Sequence, residues 1–236
     1  MTHPVLARMR DPDPRVRKQA CRAAADDPSA VLLVNALEDA LADPDVGVRH
    51  AASAALARLA PDHEVVSDVL RRALHDDDPR RRWTAAFTKA RLAPPDPGLL
   101  PALVDALSAP EADVRWAAAR ILVDLGRLHR EALPVALDLA RGDPNPRVRR
   151  MALFCLRELA PEEPATLDVL LEASRDRDPK LRRAALSSMG ALEAPPEAIT
   201  ERLAQLLESD PDPEVRRLAG TALALGSDQN SKASSE

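Results

Sequence analysis

The chain has 236 residues, of which 45% are hydrophobic, 30% are charged and only 2% are aromatic. β-Sandwiches and barrels depend on aromatic and β-branched residues, so this composition argues against an all-β fold. The net charge of −5 disfavours a protein that coats nucleic acid, and the apolar fraction is too high for a disordered chain.

The first segment, residues 2–10, is predicted to be a short helix and lacks the long apolar run of a signal peptide or a membrane span. The two cysteines, Cys21 and Cys155, lie too far apart for a Cys-x-x-Cys metal site and provide no disulfide framework. We therefore expect a cytoplasmic protein that makes no membrane contact and holds no metal or other cofactor.

An internal repeat of 32 to 34 residues runs along the chain. It is marked by an arginine that recurs as Arg17, Arg49, Arg82, Arg115, Arg149, Arg182 and Arg216. An alanine always follows three residues later, and an aspartate stands six residues earlier in every repeat except the fourth, which has Ala109. These aspartates are Asp11, Asp43, Asp76, Asp143, Asp176 and Asp210. Such a period indicates supersecondary units that must stack on one another to bury their apolar faces.

Each repeat is predicted to contain two helices, an acidic helix A and an arginine-bearing helix B. The Asp-Pro pair before helix B supplies an N-cap and a favourable first turn. Counted from the arginine, apolar residues at −1, +3, +7 and +10 form a helical stripe, and the alanine at +3 predicts close helix packing. The A helices after the first are predicted at 30–42, 64–74, 99–107, 131–141, 165–174 and 197–208.

The predicted fold class is all-α, a right-handed α-solenoid of about seven stacked helix pairs. One such solenoid is expected over residues 1–226. Residues 227–236 have no apolar anchor and are predicted to form a disordered tail.

The motif Asp-Pro-x-x-x-Val-Arg-x-x-Ala, found at 143–152 and 210–219, resembles the HEAT-repeat family, specifically the short HEAT-like repeats of phycobilisome lyases. The resemblance covers residues 10–226 and implies a non-catalytic binding scaffold. It also implies that the aspartates and arginines of the repeat form a structural ladder, which ties each inter-helix turn to the next. Ala109 predicts a weaker step of this ladder at the fourth repeat.

Positions +1, +5 and +8 of the B helices, the B-face, point away from the apolar stripe and include no acidic residue. In HEAT-like solenoids this face lines the concave surface. All four aromatic residues of the chain fall on it, beside basic residues that are concentrated toward the C-terminus. We predict an exposed groove that binds an acidic peptide or an acidic segment of a partner protein. Its predicted contact residues are Lys18, Arg22, His50, Trp83, Phe87, Trp116, Arg120, Arg150, Phe154, Arg157, Arg183 and Arg217.

The sequence leaves other interpretations open. The aromatic rings could pack between B helices and bind nothing. Alkylpurine DNA glycosylases with HEAT-like repeats also have a basic, aromatic face, in which case Asp124 would supply the acid and nucleic acid the ligand. A subunit similar to a bilin lyase would pair the propionates of a tetrapyrrole with arginine. An iron-dependent hydroxylase is disfavoured, because the only His-Glu pair is His63-Glu64. Acidic A-helix residues, among them Asp105, are expected to form a solvated surface.

Overall fold

A computed structural model describes the backbone of residues 3–233 and the side chains of residues 3–226. The described residues form fourteen α-helices and no β-strand, so the predicted all-α fold class is confirmed. The first eight are α1 (Pro4–Met9), α2 (Pro14–Ala24), α3 (Ala30–Ala40), α4 (Val46–Leu59), α5 (Glu64–Ala73), α6 (Pro79–Leu92), α7 (Leu100–Ala106) and α8 (Ala112–Leu128). The other six are α9 (Ala132–Gly142), α10 (Pro146–Leu159), α11 (Pro164–Ala173), α12 (Pro179–Met189), α13 (Glu197–Ser209) and α14 (Pro213–Ala233).

The odd-numbered helices are the A helices and the even-numbered helices are the B helices. From α3 onward, each A helix begins and ends within two residues of its predicted bounds. The last helix continues to Ala233, whereas the sequence predicts a disordered tail from residue 227. Residues 234–236 lie outside the described residues, so the tail remains a prediction for them.

The helices group into two compact units, one up to Leu125 and one from Gly126. In the first unit, α2, α4 and α6 pack side by side as a B layer, and α1, α3 and α5 form an A layer. In the second unit, α10, α12 and α14 form the B layer, and α9, α11 and α13 form the A layer. A single solenoid over residues 1–226 stays a prediction.

The alanine at position +3 explains how closely the layers approach. It has no exposed surface in any of the seven repeats, as seen for Ala20, Ala52, Ala85, Ala118, Ala152, Ala185 and Ala219. A larger side chain at this point would separate the helices, because protein interiors are already close-packed. The burial of this alanine row is thus observed, and the close helix crossing predicted from it stays a prediction.

Candidate interaction surface

Two residues of each Asp-Pro turn, the first an aspartate and the second the N-cap, have separate roles. Asp45 is the N-cap of α4, and its Oδ1 accepts a hydrogen bond from the Val48 backbone N–H at 3.0 Å. Asp43, two residues earlier, accepts from the Asp45 backbone N–H at 2.8 Å and so shapes the turn. The same turn bond links Asp11 to Asp13, Asp76 to Asp78, Asp143 to Asn145, Asp176 to Asp178 and Asp210 to Asp212.

The first acid of the turn also meets the arginine of the preceding repeat. Arg17 donates two hydrogen bonds to the Asp43 carboxylate, at 2.7 and 2.8 Å. Arg182 binds Asp210 in the same two-point manner, at 2.8 and 2.7 Å, and Arg149 reaches Asp176 at 3.0 Å. Burial opposes ionisation of the aspartates, but the bonds from the arginines, the backbone N–H bonds of the turns and nearby positive charges together outweigh it and lower the pKa of Asp43 and of Asp210.

The repeat arginines hold their own turn as well. Arg17, for example, donates through Nη1 to the backbone carbonyls of Asp11 and Pro12, both at 3.0 Å. Bonds to the first carbonyl of the turn recur for Arg49, Arg82, Arg115, Arg182 and Arg216. One side chain thus fixes the turn before its own helix and, where it pairs with an acid, the turn that follows.

The fourth repeat keeps an ion pair by another route. Ala109 stands where the other repeats have an aspartate, so it offers no carboxylate to Arg82. Arg82 instead reaches Asp105 Oδ2 on α7 at 2.5 Å. Asp105 therefore supplies the missing acid from one turn earlier, and the predicted weak step is filled. The expectation that Asp105 belongs to a merely solvated surface is wrong, because the A helix brings it within reach of the ladder.

Trp83 departs from its predicted exposure. Its side chain is buried, with 7% of its surface exposed, and its Nε1 donates to Asp105 Oδ2 at 2.9 Å. The sequence places it on the B-face, but its indole turns toward the acid of α7. Trp116 on α8 has the predicted exposure, with 48% of its surface accessible, while Phe87 and Phe154 are half-buried.

A pocket of about 260 Å³ opens between α4, α6 and α8 in the first unit. Three predicted contact residues line it, namely His50, Trp83 and Phe87. Its other walls are not among the predicted contact residues; they are Val46, Arg49, Ser53, Thr84, Arg91, Val114, Ala117 and Ile121. Arg91 had a usable signal, since it stands four residues after Phe87 and thus on the same side of α6. None of the described lining residues is acidic.

The B-face arginines of the second unit lie close to carboxylates, which their positions on the B-face do not predict. Arg150 lies 3.7 Å from Asp178, and Arg183 lies 3.5 Å from Asp212. Both acids are N-cap residues of the next B helix. The prediction used only positions +1, +5 and +8 of the B helices, so it did not include these acids. Arg217 pairs with Glu214 at 2.6 Å.

The remaining predicted contacts divide by exposure. Arg157 pairs with Glu158 at 2.7 Å and lies over the Phe154 ring, 5.0 Å from its centroid. Lys18 is half-buried, whereas Arg22 and Arg120 are exposed. The structure thus brings together only His50, Trp83 and Phe87 of the predicted set in one concave site.

No group of three His, Cys, Asp or Glu side chains that could hold a metal ion occurs in the described part of the chain. Among the helices of that part, none has the length and apolar character needed to cross a membrane.

The model for HEAT repeats matches residues 2–90, 100–190 and 133–224. No curated protein sequence matches the chain. Among solved structures, importin beta in an ammonium sulfate condition is similar with 20% identity and a TM-score of 0.57, over 94% of this chain but only 33% of importin beta.

Two further structures are similar at lower TM-scores. An engineered protein shares 23% identity over 94% of this chain and 67% of its own, with a TM-score of 0.44. The complex of CpcE and CpcF of phycocyanin lyase from Nostoc sp. PCC7120 shares 22% identity over 95% of each chain, with a TM-score of 0.39. At these identities only the fold is shared. Because the repeat model matches most of its length, this chain belongs to the HEAT-repeat family.

Proposed function

We propose that this HEAT-repeat protein is a non-catalytic interaction scaffold that binds an acidic segment of a partner protein. Stacked helical repeats present extended surfaces suited to binding other chains. The observation that carries the proposal is the pocket between α4, α6 and α8, whose walls combine Trp83 and Phe87 with cationic groups and include no described acid.

Charge favours an acidic ligand at this pocket. Arg91 and His50 are exposed at its walls, so a carboxylate can approach either without first being buried. The aromatic walls supply apolar contact area, which charged surfaces alone lack. An acidic segment with one large apolar residue satisfies both features.

The nucleic-acid alternative depends on a row of free basic groups along the second unit. Arg150, Arg183 and Arg217 each have a carboxylate within 4 Å, and such pairing reduces the charge available for phosphates. This weighs toward a protein partner. The cytoplasmic location stays a prediction of the sequence.

The test uses a fluorescein-labelled peptide, Glu-Glu-Phe-Glu-Glu, and its Gln-Gln-Phe-Gln-Gln counterpart in a fluorescence anisotropy titration. We expect the acidic peptide to bind the wild-type protein about tenfold more tightly than the neutral one. The double variant His50→Glu/Arg91→Glu should remove this preference, because both positions are exposed and each substitution places a negative charge at the pocket.

The matched control is Arg130→Glu/Arg141→Glu, which changes two exposed basic side chains of the second unit away from the pocket. It should keep the preference for the acidic peptide. Equal binding of the acidic and neutral peptides by the wild-type protein would count against the proposed function.

A further inference from the structure

The third repeat breaks the apolar pattern at one position. Position −1 is Val or Leu in the other six repeats but is Arg81 here. The Arg81 Nη1 lies 3.2 Å from Asp76 Oδ2, in the turn that precedes α6. Asp76 is the acid that the ladder register would assign to Arg49 of the preceding repeat, as Asp43 serves Arg17. Arg81 therefore takes the carboxylate that Arg49 would otherwise hold.

Arg49 is left as a buried cation without a direct ion pair, and the Asp43 carboxylate acts on it only through its charge. Only 5% of its surface is exposed, and its Nη1 donates to the backbone carbonyls of Asp43 and Pro44, at 2.8 and 3.2 Å. Within the described residues it takes part in no ion pair. Arg182, which is buried to a similar degree, has the two-point bond to Asp210. A buried guanidinium without a hydrogen-bonded carboxylate is unfavourable, so Arg49 is suited to gain one from a ligand.

Arg49 forms part of the wall of the pocket between α4, α6 and α8. The neutral polar side chains there already have partners. Thr84 Oγ1 donates to the Arg80 carbonyl at 2.7 Å, and Ser53 Oγ is hydrogen-bonded to Thr88 Oγ1 at 2.8 Å. The pocket wall thus carries a positive charge with no directly paired carboxylate, and the rest of its surface is mainly apolar.

We propose that this pocket binds a carboxylate carried beside an apolar group, with Arg49 taking the charge and Trp83 and Phe87 contacting the apolar part. The inference rests on the proposed binding of an acidic partner segment, and it identifies the anchor of that segment as an acidic residue next to a large apolar one.

Pocket size agrees with such an anchor. An apolar cavity of about 150 Å³ can hold benzene, and pockets for small-molecule ligands begin near about 300 Å³. At about 260 Å³, this pocket suits one aromatic side chain with its neighbouring carboxylate. Charge complementarity, more than shape, selects an acidic segment over a neutral one.

The probe is 3-phenylpropionate, compared with its uncharged amide, 3-phenylpropanamide. In a Trp116→Phe background, Trp83 is the remaining tryptophan, and its fluorescence reports occupancy of the pocket. We expect the carboxylate to bind about tenfold more tightly than the amide, because only the carboxylate brings a negative charge to Arg49.

Arg81→Val restores the apolar residue of the other repeats and releases Asp76 to pair with Arg49. Affinity for 3-phenylpropionate should then fall about tenfold, while affinity for the amide stays the same. Arg80→Val is the matched control, because Arg80 pairs with Asp78 and not with Asp76. It should bind both probes as the wild-type protein does.

A second arm does not depend on Arg81. Val46 is exposed at the pocket wall in the first turn of α4, where an acidic residue is favourable for the helix. Val46→Glu should supply an internal carboxylate and weaken binding of 3-phenylpropionate about tenfold, whereas Val46→Gln should not. Equal binding of acid and amide by the wild-type protein, or unchanged carboxylate binding in folded Arg81→Val and Val46→Glu, would overturn the proposal.

The peptide of the proposed function separates the two ideas. If Glu-Glu-Phe-Glu-Glu binds wild type, Arg81→Val and Val46→Glu alike, the scaffold function stands and the Arg49 anchor is wrong. If 3-phenylpropionate binds and both variants block it, but no acidic peptide binds, the anchor stands and the proposed function fails.

Discussion

Trp83 donates its indole N–H to Asp105 Oδ2 over 2.9 Å, so an acid on α7 fixes an aromatic wall of the pocket. Arg82 binds the same oxygen. Asp105 thereby joins the structural ladder to the candidate binding site: the residue that replaces the missing acid of the fourth repeat also orients the tryptophan.

Asp105→Ala should lower the free energy of unfolding by about 2 kcal/mol, because a buried indole N–H and a guanidinium both lose their acceptor. Urea unfolding followed by circular dichroism measures the change. Asp68→Ala, which removes an exposed ion pair with Arg71, is the control and should cost less than about 0.5 kcal/mol. Equal losses in the two variants would contradict the role of Asp105.

The two tryptophans should differ sharply in their effect on stability. Trp83→Ala removes a buried ring and should cost about 3 kcal/mol, whereas Trp116→Ala removes a half-exposed ring and should cost less than about 1 kcal/mol. Guanidinium chloride unfolding of the two single variants tests this difference. Similar costs would mean that Trp116 is packed as firmly as Trp83.

The ladder predicts loss of stability in acid. Burial opposes ionisation of Asp43 and Asp210, but bonds from Arg17 and Arg182, the backbone N–H bonds of the turns and nearby positive charges together lower the pKa of both below the unfolded value of about 3.9. These carboxylates therefore stabilise the fold above about pH 4, and this stabilisation is lost as the pH falls through their lower folded pKa values.

Asp210→Asn isolates that contribution at the more buried of the two pairs. It should be about 3 kcal/mol less stable than wild type at neutral pH, because it leaves Arg182 buried without its counter-charge. Urea unfolding over a pH series should show the two proteins converging in acid. Parallel stability curves down to about pH 2 would contradict the assignment.

Both thiols should be unreactive while the protein is folded. Burial raises the pKa of Cys21 to about 11 and that of Cys155 to about 12, so almost no thiolate forms at neutral pH. Ellman's reagent should label neither cysteine in native buffer and both in guanidinium chloride. Rapid labelling of one thiol in the folded protein would show that its helix opens.

Much of the fold follows from local sequence. The helices begin where Asp-Pro turns supply caps, and the apolar stripe defines which side of helix B is buried. These features act within one or two turns, so spacing along the chain is sufficient to predict them. The fully buried alanines at +3 show how reliable that local signal is.

The candidate site was less predictable. His50, Trp83 and Phe87 were recognised from the B-face positions, but Arg49 was assigned to the ladder alone. Arg49 lacks a carboxylate partner because Arg81 pairs with Asp76. Arg49 and Arg81 belong to neighbouring repeats, so this outcome depends on contacts between repeats. The helical position of Arg81 gives no indication of the acid it will meet.

The sequence by itself determined the repeat, the bounds of the A helices from α3 onward and the buried alanine row, because each depends on near neighbours in the chain. Only the tertiary structure decided which acid each arginine meets, that Trp83 is buried, and where a pocket opens. Those outcomes depend on long side chains reaching between helices, with Arg82 and Asp105 separated by 23 residues. Two of the four aromatic residues, Trp83 and Phe87, therefore line one pocket in which an arginine lacks its expected acid, and the four do not form a continuous exposed face.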